Sequence, residues 1–154
     1  MEKYNSIYDT MGHINEVRIN INKVTTKLAE RAAIHDVSKI KAPEVDLFDK
    51  YTPLLKGVTY GSDLYTQYLK ELKVALDHHY ANNRHHPEHY ENGIQGMSLI
   101  DIVEMLCDWL AATKRHADGD IMKSIEINQT RFGYSDDLAM IFKNTVKDLT
   151  DESN

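Results

Sequence analysis

Three observations predict an all-α chain. Apolar residues recur at three- and four-residue spacing through most of the sequence. Glycine (7) and proline (3) are scarce among 154 residues, which leaves little of the turn chemistry that a β fold consumes. Val, Ile and Thr are present, yet no alternating apolar–polar run persists long enough for a strand. The length suits one domain. The reading is a single domain over 1–150 followed by a frayed polar tail at 151–154.

The elements follow in order. Residues 4–32 form a long amphipathic helix with Ile14, Val17, Ile21, Val24 and Leu28 on one stripe, weakened near its start by Gly12. His35 and Asp36 come directly after it, in Ile34-His-Asp-Val-Ser-Lys. Pro43 fits the first turn of a short helix over 43–56, with Val45, Leu47, Phe48, Leu54 and Leu55 for burial. Pro53 is expected to bend or end it. Ser62-Asp63 caps a helix running to about Tyr80. Its stripe is Leu69, Leu72, Leu76 and His79, so His79 continues the buried face while His78 points away. Residues 81–97 make a polar loop. Ser98 caps a helix over about 99–116, with Asp101 three residues later in a box-like position. Helices over about 120–131 and 135–149 complete the chain, split by Phe132-Gly-Tyr-Ser.

Charge and composition exclude several functions. The net charge is −6 with no Lys/Arg-rich block, which argues against binding duplex DNA. The longest apolar runs are a few residues, far short of the ~20 a membrane span needs, so no membrane partner is expected. The first residues lack the pattern of a secretory signal. The lone Cys107 permits neither an intramolecular disulfide nor a CxxC metal knuckle. A reduced, cytoplasmic protein is the expectation.

Histidine is the unusual residue. There are eight, and five of them fall between His78 and His89. Imidazole nitrogen with carboxylate oxygen suits borderline divalent metals, provided the groups converge from different elements. Candidate ligands are His13, His35, Asp36, His79, His85, His86 and Asp108. His13 lies near the apolar stripe of the first helix, where a hydrogen-bonded core histidine is the alternative. Neighbouring residues on a helix point about 100° apart, so His35 and Asp36 share an ion only if it sits between their faces or the backbone is bent there. Asp108 stands in a segment that should be packed, where a carboxylate needs a partner or a cation. Asp101, Glu104 and Asp108 form one acidic stripe, read either as a solvated face or as oxygen ligands and holders of ligand histidines. Arg84, inside the histidine cluster, offers a planar donor fork suited to phosphate or carboxylate.

The order His13, His35-Asp36, His79, His85/His86, Asp108 resembles the HD-domain superfamily of metal-dependent phosphohydrolases. The phrases HDxSK, HYxNNRHHPEHY and VEMLCDW look closer still to an HD-like family of bacterial and phage genomes. The resemblance covers about residues 10–116 and implies a single HD-domain-like helical bundle with a central metal site. It implies a first ion on His13, His35, Asp36 and Asp108. A second would be held by His79 with His85 or His86, through Asp36 as bridge. The expected cofactor is one or two divalent ions, Mn, Fe, Mg, Co or Zn.

The expected activity is hydrolysis of a nucleotide or related phosphate ester. Asp36 orients a water whose pKa the ion lowers, and Lys39 and Arg84 neutralise phosphate charge. The nucleotidase branch often carries a glutamate where Lys39 stands, so Glu88 or Glu104 is the candidate for proton transfer. His89 is a further candidate contact for the substrate. Two alternatives stay open. One is a di-iron oxygenase with the same ligand types, and the other a non-catalytic domain that binds metal or sequesters a signalling nucleotide. Phe132, Tyr134, Leu138, Met140, Ile141 and Phe142 are expected either in the core or at a homodimer face.

Overall fold

The computed structural model describes residues 4–58, 62–114 and 119–150, and every regular element among them is helical. Six α-helices occur in chain order: α1 (Ile7–Ile34), α2 (Glu44–Lys56), α3 (Asp63–Asn82), α4 (Leu99–Thr113), α5 (Ile121–Phe132) and α6 (Asp136–Thr150). Short 3-10 turns at Val37–Ile40, Pro87–His89 and Gly93–Gly96 punctuate the links. The expected tail at 151–154 and the expected end of the fourth helix at 115–116 lie outside the described residues.

The chain divides into two compact units, Met1–His35 and Asp36–Asn154. The first is essentially α1. No residue of α1 is buried: Ile14, Val17, Ile21 and Val24 are exposed, and Leu28 is half-buried. A helix cannot bury its own stripe; that takes a partner element.

The second unit contains two apolar clusters. One joins α2 to α3 through Tyr51, Leu72 and Ala75, with Leu47, Phe48 and Leu55 packed against them. α2 runs on through Pro53 to Lys56, so the proline does not end it. Pro53 is ten residues into the helix, and its exposed ring needs no space in the core. The other cluster joins α4, α5 and α6 through Met105, Leu106, Ile125, Ala139, Phe142 and Val146, with Tyr134 from the link. Of the late apolar residues, Tyr134 and Phe142 are core, Phe132 and Leu138 pack on it, and Met140 and Ile141 are exposed.

Local sequence explains the helix ends. Ser62 accepts from the backbone N–H of Tyr65. Ser98 and Asp101 form the expected capping box of α4. Asp120 accepts from the N–H groups of Met122 and Lys123. Gly133 ends α5 in the left-handed conformation that glycine adopts without cost (φ 67°).

Candidate metal centre

The site begins where α1 stops. His35 takes an extended conformation (φ −52°, ψ 124°), and Asp36 takes a left-handed one (φ 56°, ψ 13°). The backbone is therefore bent at the His-Asp pair. Aspartate is one of the few residues that tolerate this region. Asp36 opens the 3-10 turn Val37–Ile40, and its Oδ2 accepts from Lys39 Nζ at 2.6 Å.

His79 lies in the last turn of α3, on the face that also buries Leu72 and Ala75, and it is 2% exposed. Its two nitrogens have different surroundings. Nδ1 donates to Glu44 Oε2 at 3.0 Å. Nε2 lies 3.3 Å from Asp36 Oδ1 and 2.8 Å from His86 Nε2. Burial pushes the His79 imidazole below its ordinary range, and the charge of Lys39 adds to this against the pull of Asp36 and Glu44.

Glu44, the first residue of α2, was not anticipated. It is fully buried, and its other oxygen accepts from His78 Nδ1 at 2.7 Å. Burial would raise its pKa. Hydrogen bonds from His78 and Ser38, with the charge and hydrogen bond of His79, outweigh that and hold the carboxyl below its usual value. The sequence did carry a signal. Glu44 lies three, four, seven and eleven residues before Leu47, Phe48, Tyr51 and Leu55, on the stripe that α2 buries.

The loop after α3 brings the remaining imidazoles. His85 is 1% exposed; its Nε2 lies 3.5 Å from Asp36 Oδ1 and its Nδ1 3.2 Å from Glu104 Oε1 of α4. His86 is pushed down to about 3, by burial first and then by its histidine neighbours, so it is a neutral donor at any ordinary pH. Asp36, His79, His85 and His86 each offer a donor atom within 4.8 Å of the others, and Asp36 and Asp108 carboxylate oxygens also fall within that distance.

These spacings fit a cation. Donors about 2.0–2.2 Å from one ion lie about 2.9 Å apart at a right angle and about 3.4 Å apart at a tetrahedral angle. The separations of 2.8, 3.3 and 3.5 Å match that range. The chemistry fits as well. With Nδ1 of His79 carrying a hydrogen to Glu44, its Nε2 lone pair faces a carboxylate oxygen, an arrangement that a cation between them turns from repulsive to attractive. Three imidazoles and one carboxylate suit Zn, Fe, Co, Ni or Mn better than Ca or Mg.

A family described as one of unknown function, DUF5662, matches residues 2–150. The chain belongs to the DUF5662 family. No curated protein and no solved structure matches it.

The other expected site residues of this DUF5662 protein are placed as follows. His13 lies on the exposed surface of α1 and His35 at its end; both belong to the first unit. Arg84 donates from Nε and Nη2 to Asp101, each at 3.2 Å. Asp101 is buried and also accepts from Tyr90 and Ser98. Desolvation alone would raise its pKa; Arg84, Ser98 and Tyr90 together hold the carboxyl far below its usual value. The acidic stripe is thus no solvated face: Asp101 and Glu104 are buried and Asp108 is half-buried. Glu88 accepts from Arg131 at 2.6 Å, and His89 Nδ1 donates to the Tyr80 carbonyl at 2.8 Å. Both contacts fasten the loop to neighbouring helices.

Proposed function

We propose that this DUF5662 chain is a divalent-metal-dependent phosphohydrolase acting on a nucleotide or related phosphate ester. The observation that carries the reading is the convergence of Asp36, His79, His85 and His86 donor atoms. The resemblance of the order His13, His35-Asp36, His79, His85/His86, Asp108 to HD-domain phosphohydrolases, drawn from the sequence, supplies the reaction class. In this reading Asp108 is a further ligand candidate.

A bound divalent ion would supply Lewis acidity and an acidified water. The chain's own groups do the rest. Asp36 Oδ1 orients the attacking water. Lys39, held on the other oxygen of the same carboxylate, presents its charge to non-bridging phosphate oxygens. Arg84 is half-exposed and fixed in orientation by Asp101, so it meets an incoming phosphate with little loss of side-chain freedom. Glu104, against His85, is the better placed carboxylate for moving a proton, because Glu88 is engaged by Arg131.

The test is phosphate release from a nucleotide panel by the purified chain with Mn²⁺, Co²⁺, Fe²⁺, Zn²⁺ or Mg²⁺, alongside elemental analysis. Metal-dependent release that disappears in Asp36→Asn and His85→Ala is expected. Release that survives both substitutions rejects the site. Bound iron with an O₂-dependent product would replace the hydrolase by an oxygenase. Tight nucleotide binding without turnover under every metal would leave a binding domain.

A further inference from the structure

Glu44 has no place in the ligand set, yet among the described residues it is the most completely buried carboxylate. Its two oxygens face two adjacent imidazoles, His78 Nδ1 at 2.7 Å and His79 Nδ1 at 3.0 Å. Both bonds need a hydrogen on Nδ1, because a carboxylate only accepts. A histidine whose Nδ1 carries the hydrogen has its lone pair on Nε2. In His79 that atom is the one that faces Asp36 and His86.

We infer that Glu44 is a positioning residue: from the start of α2 it fixes the His79 tautomer and ring orientation so that Nε2 is offered to the metal. The inference rests on the metal-site reading above. Its surroundings are arranged for that purpose. Ser38 Oγ lies 3.2 Å from the same Nδ1 and accepts from Asn83 Nδ2 at 2.8 Å. Asn83 also donates to the His79 carbonyl at 2.8 Å, so both its amide hydrogens are taken and its Nδ2, 3.0 Å from His79 Nδ1, offers that nitrogen no hydrogen. Ring rotation would break the Glu44 bond and take one donor from a fully buried carboxylate, which is costly. His78, partly exposed, can exchange its bond for water; His79 cannot.

The experiment compares wild type, Glu44→Gln and Glu44→Leu as full-length chains, each checked for folding by thermal melting. Two readouts are used. Nitrogen-15 NMR of the metal-free protein reports which ring nitrogen of His79 bears the hydrogen. Chelator competition reports Zn²⁺ and Co²⁺ affinity. Wild type is expected as the Nδ1–H tautomer. Gln retains one accepting oxygen for His79, and affinity within about threefold of wild type is expected. Leu retains none, and a mixed tautomer with affinity lower by about 10–100-fold is expected. An Nε2–H His79 in the wild type overturns the inference even if Glu44→Leu fails to fold. Unchanged affinity in a folded Glu44→Leu overturns it while leaving the metal site intact. Absence of any divalent binding by wild type removes the metal reading and this inference together.

Discussion

Replacing Asp101 tests whether Arg84 is held as a structural fork. Asp101 is 1% exposed and accepts from Arg84 twice at 3.2 Å, from Tyr90 at 2.8 Å, and from the Ser98 backbone and hydroxyl at 2.9 and 2.6 Å. Asp101→Ala breaks the capping box, at about 1 kcal/mol. It also removes the buried acceptor of the part-buried Tyr90 hydroxyl, at about 1–3 kcal/mol. The Arg84 side chain is 52% exposed and regains water, so its share is small. The expected loss is about 3 kcal/mol, which for a chain of this size lowers the melting temperature by about 6–12 °C. Asp101→Asn keeps an accepting oxygen and should recover about half of that loss.

Acid adds a second arm with a definite sign. The folded carboxyl titrates below its unfolded value of about 3.9, so its stabilisation is complete above that pH and is lost as pH falls below it. The gap between wild type and Asp101→Asn should therefore be widest near neutrality and close in strong acid. Urea titrations at several pH values measure it. A Asp101→Ala loss under about 1 kcal/mol, or a gap that ignores acid, would refute the reasoning.

Other outcomes can be checked in the same preparations. Lys39→Met removes the cation 2.6 Å from Asp36 whose charge also opposes protons on His79 and His86. Divalent affinity by calorimetry should rise about fivefold, the equivalent of about 1 kcal/mol after screening, while phosphate turnover falls. Gly96→Ala would set a Cβ 2.8 Å from the Tyr90 Cβ and 3.0 Å from its ring carbons, so Tyr90 must shift from its bond to Asp101. A loss of about 1–3 kcal/mol in chemical denaturation is expected. Phe142→Ala, in the α4–α6 cluster, should cost about 3–5 kcal/mol of stability yet leave Zn²⁺ affinity below the transition unchanged, since α6 carries none of the donors.

Much of the fold was legible because helix caps and stripes act locally. Ser98 with Asp101, Ser62, and the Leu72-to-His79 face each announced itself within one or two turns of chain. The imidazole part of the site was legible for the same reason: His79 sits on a buried stripe, and His85 and His86 follow within the next loop. What was not legible depends on tertiary placement. Nothing near Arg84 says that its fork closes on Asp101, seventeen residues later. Glu44 lies on the stripe that α2 buries, but only the packing of α2 against α3 brings its carboxylate to His78 and His79. Asp36 needed a backbone bend that the sequence required but could not supply by periodicity.

Among the described residues the second unit has two oily patches, one between α2 and α3 and one among α4, α5 and α6, and the histidine–carboxylate cluster links His79 of α3, through Asp36 and His85, to Glu104 of α4. A cation there would act as a rivet between two half-cores, each small for independent stability. Stripping it with a chelator should make the two halves melt apart, seen as a calorimetric enthalpy that no longer equals the van't Hoff value, while refilling the site should restore a single transition.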